Sequence, residues 1–407
     1  MKKHILVISQ YFYPEQFRIN DICTEWVKRG YKVTVITGIP NYPQGKYYKG
    51  YSLFKSRRET YNDVDIIRIP LVARGSNSIT LILNYLSFVV SGFIWKSITN
   101  VKADFVFIYE VSPMTQALPG IWYAMKRKIP CYLYVQDLWP ENVAIITGTT
   151  NKWVLSSIGK MVDYIYSHCT KILTTSKSFV KSIENRGVST NKIKFWPQYA
   201  EDFYKPMKKS EAVIDGEEKI FKVIFTGNIG NAQGLDILPK AAKIIKNEIG
   251  CTRKIHFTIV GEGRYKDTLL ELIENNDVTE LFSFIPKKPA SEIPEILSEH
   301  DVAIICLTAN PLFKMTIPAK LQSYMACGMP ILASADGETA NIVNESRSGK
   351  VCEVGNAKSF ADTVVEMSKL SAIELDELQL NSRNYYENNF NKQDLLDEID
   401  DLFQNTR

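Results

Sequence analysis

The sequence predicts an α/β protein of two doubly wound, Rossmann-like domains that face each other across a cleft. Three observations carry this prediction. Short apolar runs alternate with segments long enough for a helix over residues 5–175, and the alternation resumes over residues 223–354. The intervening residues 201–220 are polar and lack periodicity, which is typical of a linker. A chain of 407 residues is also too long for a single hydrophobic core.

We therefore divide the chain into a first domain (1–200), a linker (201–220), a second domain (221–370) and a helical tail (371–407) that can pack back on the first domain. In the first domain, strands are predicted at 5–9, 33–37, 66–69, 105–109, 131–135 and 172–175. In the second domain, they are predicted at 223–225, 256–260, 281–285, 302–306, 330–333 and 350–354. Helices are predicted at 359–369 and 373–403.

The composition excludes several classes of protein. Apolar residues make up 45% and charged residues 23% of the chain, which excludes a disordered chain, a collagen-like chain and a multi-span membrane protein. The seven cysteines form no CxxC pair and the four histidines lie far apart, so we expect no metal centre. Buried free thiols in a reducing, cytoplasmic compartment fit the scattered cysteines. We expect no nucleic-acid partner.

The charge is unevenly divided along the chain. Residues 1–200 hold 26 Lys and Arg against 12 Asp and Glu, whereas residues 201–407 hold 23 against 33. A basic first half indicates an anionic partner such as the inner face of the plasma membrane, and the alternative is a solubility pattern without a partner. The basic residues available for a membrane surface are Arg57, Arg58, Arg68, Arg74, Lys96, Lys126, Arg127 and Lys128.

One uncharged segment of 21 residues, between Arg74 and Lys96, is long enough to span a bilayer. Polar residues recur along it at helical spacing and form one narrow stripe: Thr80, Asn84, Ser87 and Ser91. This pattern favours a helix that is mostly buried in the domain, with a membrane-contacting helix as the alternative and a true span as the least favoured reading.

Three stretches of the second half suit the binding of a phosphate group. Gly227, Asn228, Gly230 and Gln233 lie in a glycine-rich turn between a strand and a helix, where backbone N–H groups meet a positive helix end. A tight turn without a ligand is the alternative. The spacing matches neither GxGxxG nor GxxxxGK[ST]. In the second stretch, Gly261 and Gly263 are followed by Arg264, a candidate for a diphosphate.

The third stretch begins a helix. Thr316 and Lys320 lie at the start of this helix, where Lys320 can contact a phosphate, and Gly328 suits its end.

In the first half, Glu110 and Asp137 follow two predicted strands and therefore lie at the edge where ligands of such sheets bind. A solvated rim carboxylate is the alternative for Glu110.

Together, these motifs resemble the GT-B retaining glycosyltransferases of family 4. In the second half, GNIGNAQGL, VGEG, FSFIPKKPASEIPEIL and PAKLQSYMACGMPI occur in family order and at family spacing. In the first half, SQYFYPEQFRIND, GYKVTVITGIPNYPQG and VQDLWPENV resemble the branch that builds bacterial O-antigen, capsule and colanic-acid-type polysaccharides, in particular its L-fucosamine transferases.

The resemblance implies transfer of a sugar with retention of configuration, from a UDP-linked donor to an undecaprenyl-diphosphate-linked sugar, with no metal or other cofactor. The sugar it suggests is N-acetyl-L-fucosamine. The implied donor residues are Gly227, Asn228, Gly230, Gln233, Gly261, Gly263, Arg264, Ile285, Thr316, Lys320 and Ser323. The implied acceptor residues are Glu15, Arg18, Asn20, Gln136 and Trp139, and the catalytic candidates are Asp137, Lys320 and Glu110.

The sequence departs from the family at charged positions. Asn228 and Gln233 stand where the family usually places an Arg and a Lys that clamp the diphosphate. The usual pair of glutamates is replaced by Met315 and Ser323, and a His-Asp pair appears as Gln136-Asp137. Because a charged hydrogen bond is stronger than a neutral one, other cations must supply the lost attraction. Lys320 and Arg264 are the candidates, followed by Lys314.

Other functions fit the same motifs. A UDP-sugar 2-epimerase can share this two-domain fold, and a transferase could use a different donor such as GDP-fucose. A non-catalytic nucleotide-sugar-binding partner of a membrane assembly would explain the missing glutamates. A single DxD motif, at residues 63–65, precedes a predicted strand and is expected to be a loop and not a metal site.

Overall fold

The computed structural model describes residues 3–75, 77–209, 220–248 and 253–405. The chain divides into two compact units: unit 1 comprises residues 1–196 and 399–407, and unit 2 comprises residues 197–398. Part of the predicted linker, residues 210–219, lies outside the described residues, as does Cys251. The six described cysteines are buried and free.

Unit 1 is built on one sheet with helices between its strands. Its strands are β1 (His4–Ile8), β2 (Lys32–Thr37), β3 (Arg58–Tyr61), β4 (Val64–Arg68), β5 (Phe105–Glu110), β6 (Cys131–Val135), β7 (Lys171–Thr174) and β8 (Ile193–Phe195). Its helices are α1 (Arg18–Lys28), α2 (Ser78–Ile98), α3 (Ala117–Arg127), α4 (Glu141–Thr147), α5 (Lys152–His168) and α6 (Lys177–Glu184).

The strand order in unit 1 is β3-β4-β2-β1-β5-β6-β7-β8, and every pair is parallel except β3 with β4. In register, Ile5 of β1 lies beside Val33 of β2 and Phe105 of β5. Nearly continuous apolar strands such as β1 and β6 are buried because helices cover a parallel sheet on both faces.

The polar edge strand β3 was not predicted. It pairs with β4 through a two-residue turn in which both Asn62 and Asp63 have positive φ, which suits a tight hairpin. The DxD motif therefore has Asp63 in the turn and Asp65 on β4, both exposed to solvent. Asp65 is thus on a strand, whereas the sequence predicted that the motif ends before one.

Unit 2 contains the second sheet. Its strands are β9 (Phe221–Thr226), β10 (Ile255–Val260), β11 (Phe282–Ile285), β12 (Val302–Cys306), β13 (Ile331–Ser334) and β14 (Gly349–Cys352). Its helices are α7 (Ile237–Glu248), α8 (Lys266–Asn275), α9 (Ile293–Ser298), α10 (Pro311–Lys314), α11 (Ala319–Ala326), α12 (Glu338–Ser346), α13 (Ala357–Ser368), α14 (Ala372–Asn389) and α15 (Lys392–Asn405). Short 3-10 helices cover Met114–Gln116 and Thr190–Lys192 in unit 1 and Asn231–Gln233, Thr279–Leu281 and Ala290–Glu292 in unit 2.

The sheet of unit 2 is entirely parallel, in the order β11-β10-β9-β12-β13-β14. The chain reverses direction across the sheet between β9 and β12, and a ligand of a doubly wound sheet binds beyond the carboxyl ends of the strands at such a point. A buried apolar cluster that includes Phe225, Leu238, Phe257 and Phe360 fixes α7 and α13 against the sheet.

The helical tail is divided between the two units. Helix α14 belongs to unit 2, whereas residues 399–407 at the end of α15 belong to unit 1. There, the buried Phe403 stacks on Phe105 with ring centroids 4.8 Å apart and also contacts Trp26. Burial of such a side chain contributes about 1.5–3 kcal/mol.

Helix α2 corrects one prediction. The polar side chains do lie on one side, but that side faces inward: Asn84 is fully buried and accepts a hydrogen bond from the side chain of Gln10 (2.7 Å). The opposite, apolar side is exposed, so the expectation of a mostly buried helix was wrong. By length and composition alone, this 21-residue helix is also apolar enough to cross a membrane.

Candidate functional site

Two glycine turns meet at the carboxyl end of the sheet in unit 2. Gly227 follows β9 and donates a backbone hydrogen bond to Val260 (2.9 Å), and Gly261 follows β10 and donates to Ile285 at the end of β11 (3.0 Å). Further along, the backbone N–H of Ile229 donates to Glu262 (2.9 Å). The predicted residues Gly227, Gly261 and Ile285 are therefore brought together by the backbone alone.

This contact leaves no room for a side chain at either glycine of the second turn. A Cβ added at Gly261 would lie 1.9 Å from the carbonyl oxygen of Gly227, and one added at Gly263 would lie 2.0 Å from that of Ile229. Gly261 also has a φ of +146°, a conformation that side chains disfavour. The tight-turn alternative thus explains Gly261 and Gly263 without any ligand.

Lys320 lies over the first of these turns. From α11, its ammonium group donates a hydrogen bond to the side-chain oxygen of Gln233 and lies 3.9 Å from the centroid of the Phe225 ring. A Cβ added at Gly227 would be 3.6 Å from the same nitrogen. Three predicted donor residues, Gly227, Gln233 and Lys320, therefore surround one point beyond the end of β9.

The surroundings of Lys320 disfavour its charge. Burial lowers the pKa of this ammonium group to about 7. The side chain contacts the ring face of Phe225 and a neutral amide, and neither replaces the water that a free ammonium would hold. A bound anion would restore the charge, which makes this position suited to a diphosphate.

Helix α11 is held in place by a residue that the sequence analysis assigned only to the core. The hydroxyl of the buried Tyr324 accepts a hydrogen bond from the backbone N–H of Thr226 (2.9 Å), the last residue of β9. Tyr324 lies one helical turn beyond Lys320, so this bond fixes the lysine relative to the strand end. This role is visible only from the hydrogen bond between Tyr324 and Thr226, which no sequence pattern indicates.

The other predicted donor residues are exposed or are bonded to neighbouring groups of the protein. Asn228 and Arg264 are exposed on the two turns. The hydroxyls of Thr316 and Ser323 donate to backbone oxygens of Leu312 (2.9 Å) and Ala319 (3.2 Å). Lys314 pairs with Asp336 (3.0 Å) on the surface.

One expectation about the first turn was wrong. Gly230 precedes a 3-10 turn, Asn231–Gln233, and α7 begins only at Ile237. The extra residues include Gly234, whose φ of +56° turns the chain before the helix. The groups near Gly230 are therefore those of a short turn and not the first turn of α7.

In unit 1, Glu110 and Asp137 lie together at the carboxyl ends of β5 and β6. The carboxylate of Glu110 accepts a hydrogen bond from the backbone N–H of Asp137 (3.4 Å), and that of Asp137 accepts one from Ser112 (2.8 Å). Glu110 is 0% exposed, and burial raises its pKa well above the usual range. Glu110 is therefore neither a solvated rim carboxylate nor placed to touch a substrate.

Asp137 is only partly buried, and burial raises the pKa of its carboxyl. Its neighbour Ser112, which sequence analysis missed, also binds two side chains through its hydroxyl: it accepts from Trp139 (3.2 Å) and from Asn142 (2.8 Å). Trp139 is 8% exposed, so it supports this cluster from within. Gln136, between β6 and Asp137, is partly buried.

The remaining acceptor candidates lie at the start of unit 1. Glu15, predicted at the rim, is 2% exposed and accepts backbone hydrogen bonds from Asn41 (2.8 Å) and Tyr42 (2.7 Å). Burial raises its pKa to about 7. It joins two loops and is not a rim residue. Arg18 opens α1, and Asn20 donates to the backbone of Glu15 (2.7 Å).

A grouping of residues that suits a metal ion is absent from the described part of the chain, where no three His, Cys, Asp or Glu side chains cluster in that way. The expectation of a metal-independent reaction stays a prediction.

Comparison with known proteins finds a likeness in the second half of the chain. Residues 206–402 match the family model described as "Glycosyl transferases group 1". This matched segment is similar to group 1 glycosyltransferases. The two glycine turns and Lys320 lie within it.

Most of the chain is similar to a putative colanic acid biosynthesis glycosyl transferase, WcaI, of Escherichia coli, with 24% identity over 368 residues and 86% of each chain covered. Among solved structures, it resembles a sucrose-phosphate synthase from Thermosynechococcus elongatus (14% identity, TM-score 0.76, 99% and 98% of the chains covered). It also resembles Anabaena HepE in complex with UDP and glucose (12% identity, TM-score 0.70, 99% and 100% covered). These likenesses show the predicted GT-B fold, with one Rossmann-like domain in each unit.

Proposed function

We propose that this protein is a glycosyltransferase that transfers a sugar from a UDP-linked donor to a sugar carried on a lipid diphosphate, in the synthesis of a bacterial surface polysaccharide. The observation that carries the proposal is the position of Lys320 over the glycine turn of a segment similar to group 1 glycosyltransferases. The colanic acid relative supports the polysaccharide, and the UDP-bound neighbour supports the nucleotide.

In this proposal, Lys320 supplies the cation for the diphosphate that the first glycine turn lacks. The family's clamp positions are neutral here, at Asn228 and Gln233. Gln233 instead holds the ammonium group of Lys320 by a hydrogen bond, so the cation is supplied by α11 and positioned by the loop. A fixed charge in a partly desolvated site acts more strongly on a phosphate than an exposed one.

The chemistry follows from this placement. When the bond between the sugar and the diphosphate breaks, negative charge grows on the leaving oxygen. A protonated Lys320 would stabilise that charge, which is the main way such a site accelerates the reaction. This stabilisation requires no metal ion, and we infer that the reaction is metal-independent and retaining.

For the acceptor, we propose the edge of unit 1 at Asp137. Its partly exposed carboxylate is held by the backbone of Ser112, whereas Glu110 lies beneath it and acts only by positioning. A carboxyl with a raised pKa is suited to accept the proton of a sugar hydroxyl near neutral pH. Transfer of that proton to the leaving phosphate is the alternative route.

The donor sugar that we propose, N-acetyl-L-fucosamine, rests on the resemblance of the first-half motifs. With such an acceptor, we propose that the protein works in the cytoplasm, at the inner face of the plasma membrane.

A donor screen tests this function. The purified protein is incubated with a synthetic GlcNAc-diphospho-lipid and a panel of UDP-sugars, UDP-FucNAc among them, and with GDP-fucose, in the presence of EDTA, and products are measured by mass spectrometry. A disaccharide lipid formed from one UDP-sugar supports the proposal. Product formed only with GDP-fucose would show that the donor is not a UDP-sugar. Activity that EDTA abolishes and Mn²⁺ restores would contradict a metal-independent reaction.

A parallel arm omits the lipid and contains only UDP-GlcNAc. Conversion to a new UDP-sugar without acceptor would favour the epimerase alternative. Calorimetric binding of UDP without turnover on any lipid would favour a binding protein without catalysis.

A further inference from the structure

Helix α2 presents an apolar face to the outside of unit 1. Eight of its large apolar side chains are between 47% and 74% exposed, out of 22 such side chains exposed in the described residues. They include Ile79, Ile82, Leu86, Val90 and Phe93, spaced at three and four residues and hence aligned along one side. We call this side the α2 apolar face. A contiguous apolar surface of this size marks an interaction site.

The inner side of the same helix is fixed within unit 1. Asn84 donates to the backbone of Val72 (2.5 Å), and Trp95 stacks on Tyr123 of α3 with ring centroids 5.5 Å apart. Gly92 lies so close to α3 that an added Cβ would be 2.4 Å from a ring carbon of Pro119. Asn84 thus points inward and is already paired, which leaves the apolar face for another partner.

Positive charge borders the α2 apolar face at its C-terminal end. Lys96 lies on α2 itself, with its ammonium group 4.4 Å from the centroid of the Phe93 ring. Lys126 donates to the backbone of Lys96 (3.1 Å), and Arg127 donates to that of Thr99 (3.1 Å). Residues 66–103 and 111–136, which contain α2 and α3, include no Asp or Glu.

We propose that the α2 apolar face docks on an anionic lipid bilayer, with the helix lying in the plane of the interface and the basic cluster Lys96, Lys126 and Arg127 on the headgroups. An apolar side that dips into lipid beside cations on the headgroups is the physical form of a peripheral membrane helix. At 21 residues, α2 offers about 31 Å of such contact.

The observations favour this partner over two others. A membrane span would require α2 to leave its contacts with Val72, Pro119 and Tyr123. A second copy of the chain would bring the same cations to the contact, and neither α2 nor α3 carries a carboxylate to pair with them. Anionic lipid supplies the missing charge.

Sedimentation with vesicles tests the proposal without nucleotide or acceptor, so its outcome is independent of the proposed transfer reaction. The full chain is mixed with vesicles of phosphatidylcholine containing 30% phosphatidylglycerol, or of phosphatidylcholine alone, at low and high salt. We expect binding that is strongest on the anionic vesicles and weakened by salt.

Two variants separate the apolar and charged contributions. The triple variant Ile82→Gln, Leu86→Gln and Val90→Gln is expected to bind both kinds of vesicle at least about tenfold more weakly. The double variant Lys96→Gln and Lys126→Gln is expected to bind anionic vesicles more weakly than the wild type does and to bind phosphatidylcholine vesicles as the wild type does. The matched control, Ile373→Gln with Leu380→Gln, alters side chains of α14 that are 80% and 60% exposed, and it should bind like the wild type.

The melting temperature and the sedimentation coefficient without lipid complete the test. Wild-type binding by the triple variant, or no binding of the wild type to either vesicle, would overturn the proposal. A wild-type dimer in solution that the triple variant converts to a monomer would assign the face to a second copy of the chain. Should the triple variant not fold, the double variant decides: unchanged binding to anionic vesicles contradicts the proposal.

Discussion

The ammonium group of Lys320 donates a hydrogen bond to the side-chain oxygen of Gln233, 87 residues away along the chain. One partner begins a helix and the other ends a glycine-rich turn, and the contact places a cation beyond the end of β9. Gln233 is neutral, and in the structure it holds a cation that is supplied by α11.

Substitution of Lys320 should therefore impair catalysis more than folding. We expect Lys320→Ala to lower kcat/KM at least about tenfold, a loss of 1.4 kcal/mol of transition-state stabilisation, because the leaving diphosphate loses its cation. Steady-state kinetics with the active UDP-sugar measure this. The control is Lys266→Ala, which removes a lysine paired with Glu262 (2.9 Å) on the surface of α8 and should leave the rate within twofold. Unchanged kinetics for Lys320→Ala would remove this residue from the site.

The affinity for UDP should depend on pH through the same side chain. Burial lowers the pKa of Lys320 to about 7, so the free protein loses this charge as the pH rises above 7. A bound diphosphate favours the protonated form and raises that pKa, so the Kd for UDP should increase by up to about tenfold per pH unit between pH 7 and 9. The phosphate groups of UDP are already ionised in this range. Calorimetry should show this slope for the wild type and a flat profile for Lys320→Ala, and equal slopes would contradict the assignment.

The close approach of the two glycine turns predicts a large cost for one methyl group. Gly261→Ala would place a Cβ 1.9 Å from the oxygen of Gly227 and strain a φ of +146°, so we expect more than about 3 kcal/mol of lost stability in unit 2. Gly355→Ala is the control: its φ is +72°, but a Cβ there meets nothing within 4 Å, and the expected loss is about 1 kcal/mol. Urea unfolding measures both, and equal losses would show that the turns do not constrain each other.

Asp137 should affect turnover without affecting the donor. Asp137→Asn keeps the shape of the side chain but removes the base, so we expect kcat to fall at least about a hundredfold while the Kd for UDP stays the same. Asp163→Asn, which alters an exposed partner of Arg186 on α5, serves as the control. A normal kcat for Asp137→Asn would leave the leaving phosphate as the proton acceptor.

Much of the fold could be predicted because the core strands are apolar and evenly spaced. Strands such as β6 and β12 were predicted at their observed bounds, since a strand that is buried on both faces is a continuous run of apolar residues in the sequence. The edge strands β3 and β8 were missed: β3 reads Arg-Glu-Thr-Tyr, and its exposure to solvent removes the apolar signal.

The candidate site was less predictable, because it depends on which loops meet. Sequence reasoning found Gly227, Gln233 and Lys320 separately, but the hydrogen bond between the last two exists only after β9 and α11 are placed. Glu15 was predicted at the rim, and Glu110 was predicted as a catalytic candidate with a solvated rim carboxylate as the alternative. Only the packing around the two residues revealed their burial. For α2, periodicity located the polar stripe and could not say that it faces inward.

We propose that unit 2 binds the diphosphate of a nucleotide sugar at the first glycine turn. A crystal structure of the protein with UDP tests it most directly. We predict that the β-phosphate lies within hydrogen-bond distance of the Lys320 ammonium group and beside Gly227–Gly230. UDP bound elsewhere, with its phosphates distant from both Lys320 and the turn, would contradict the account.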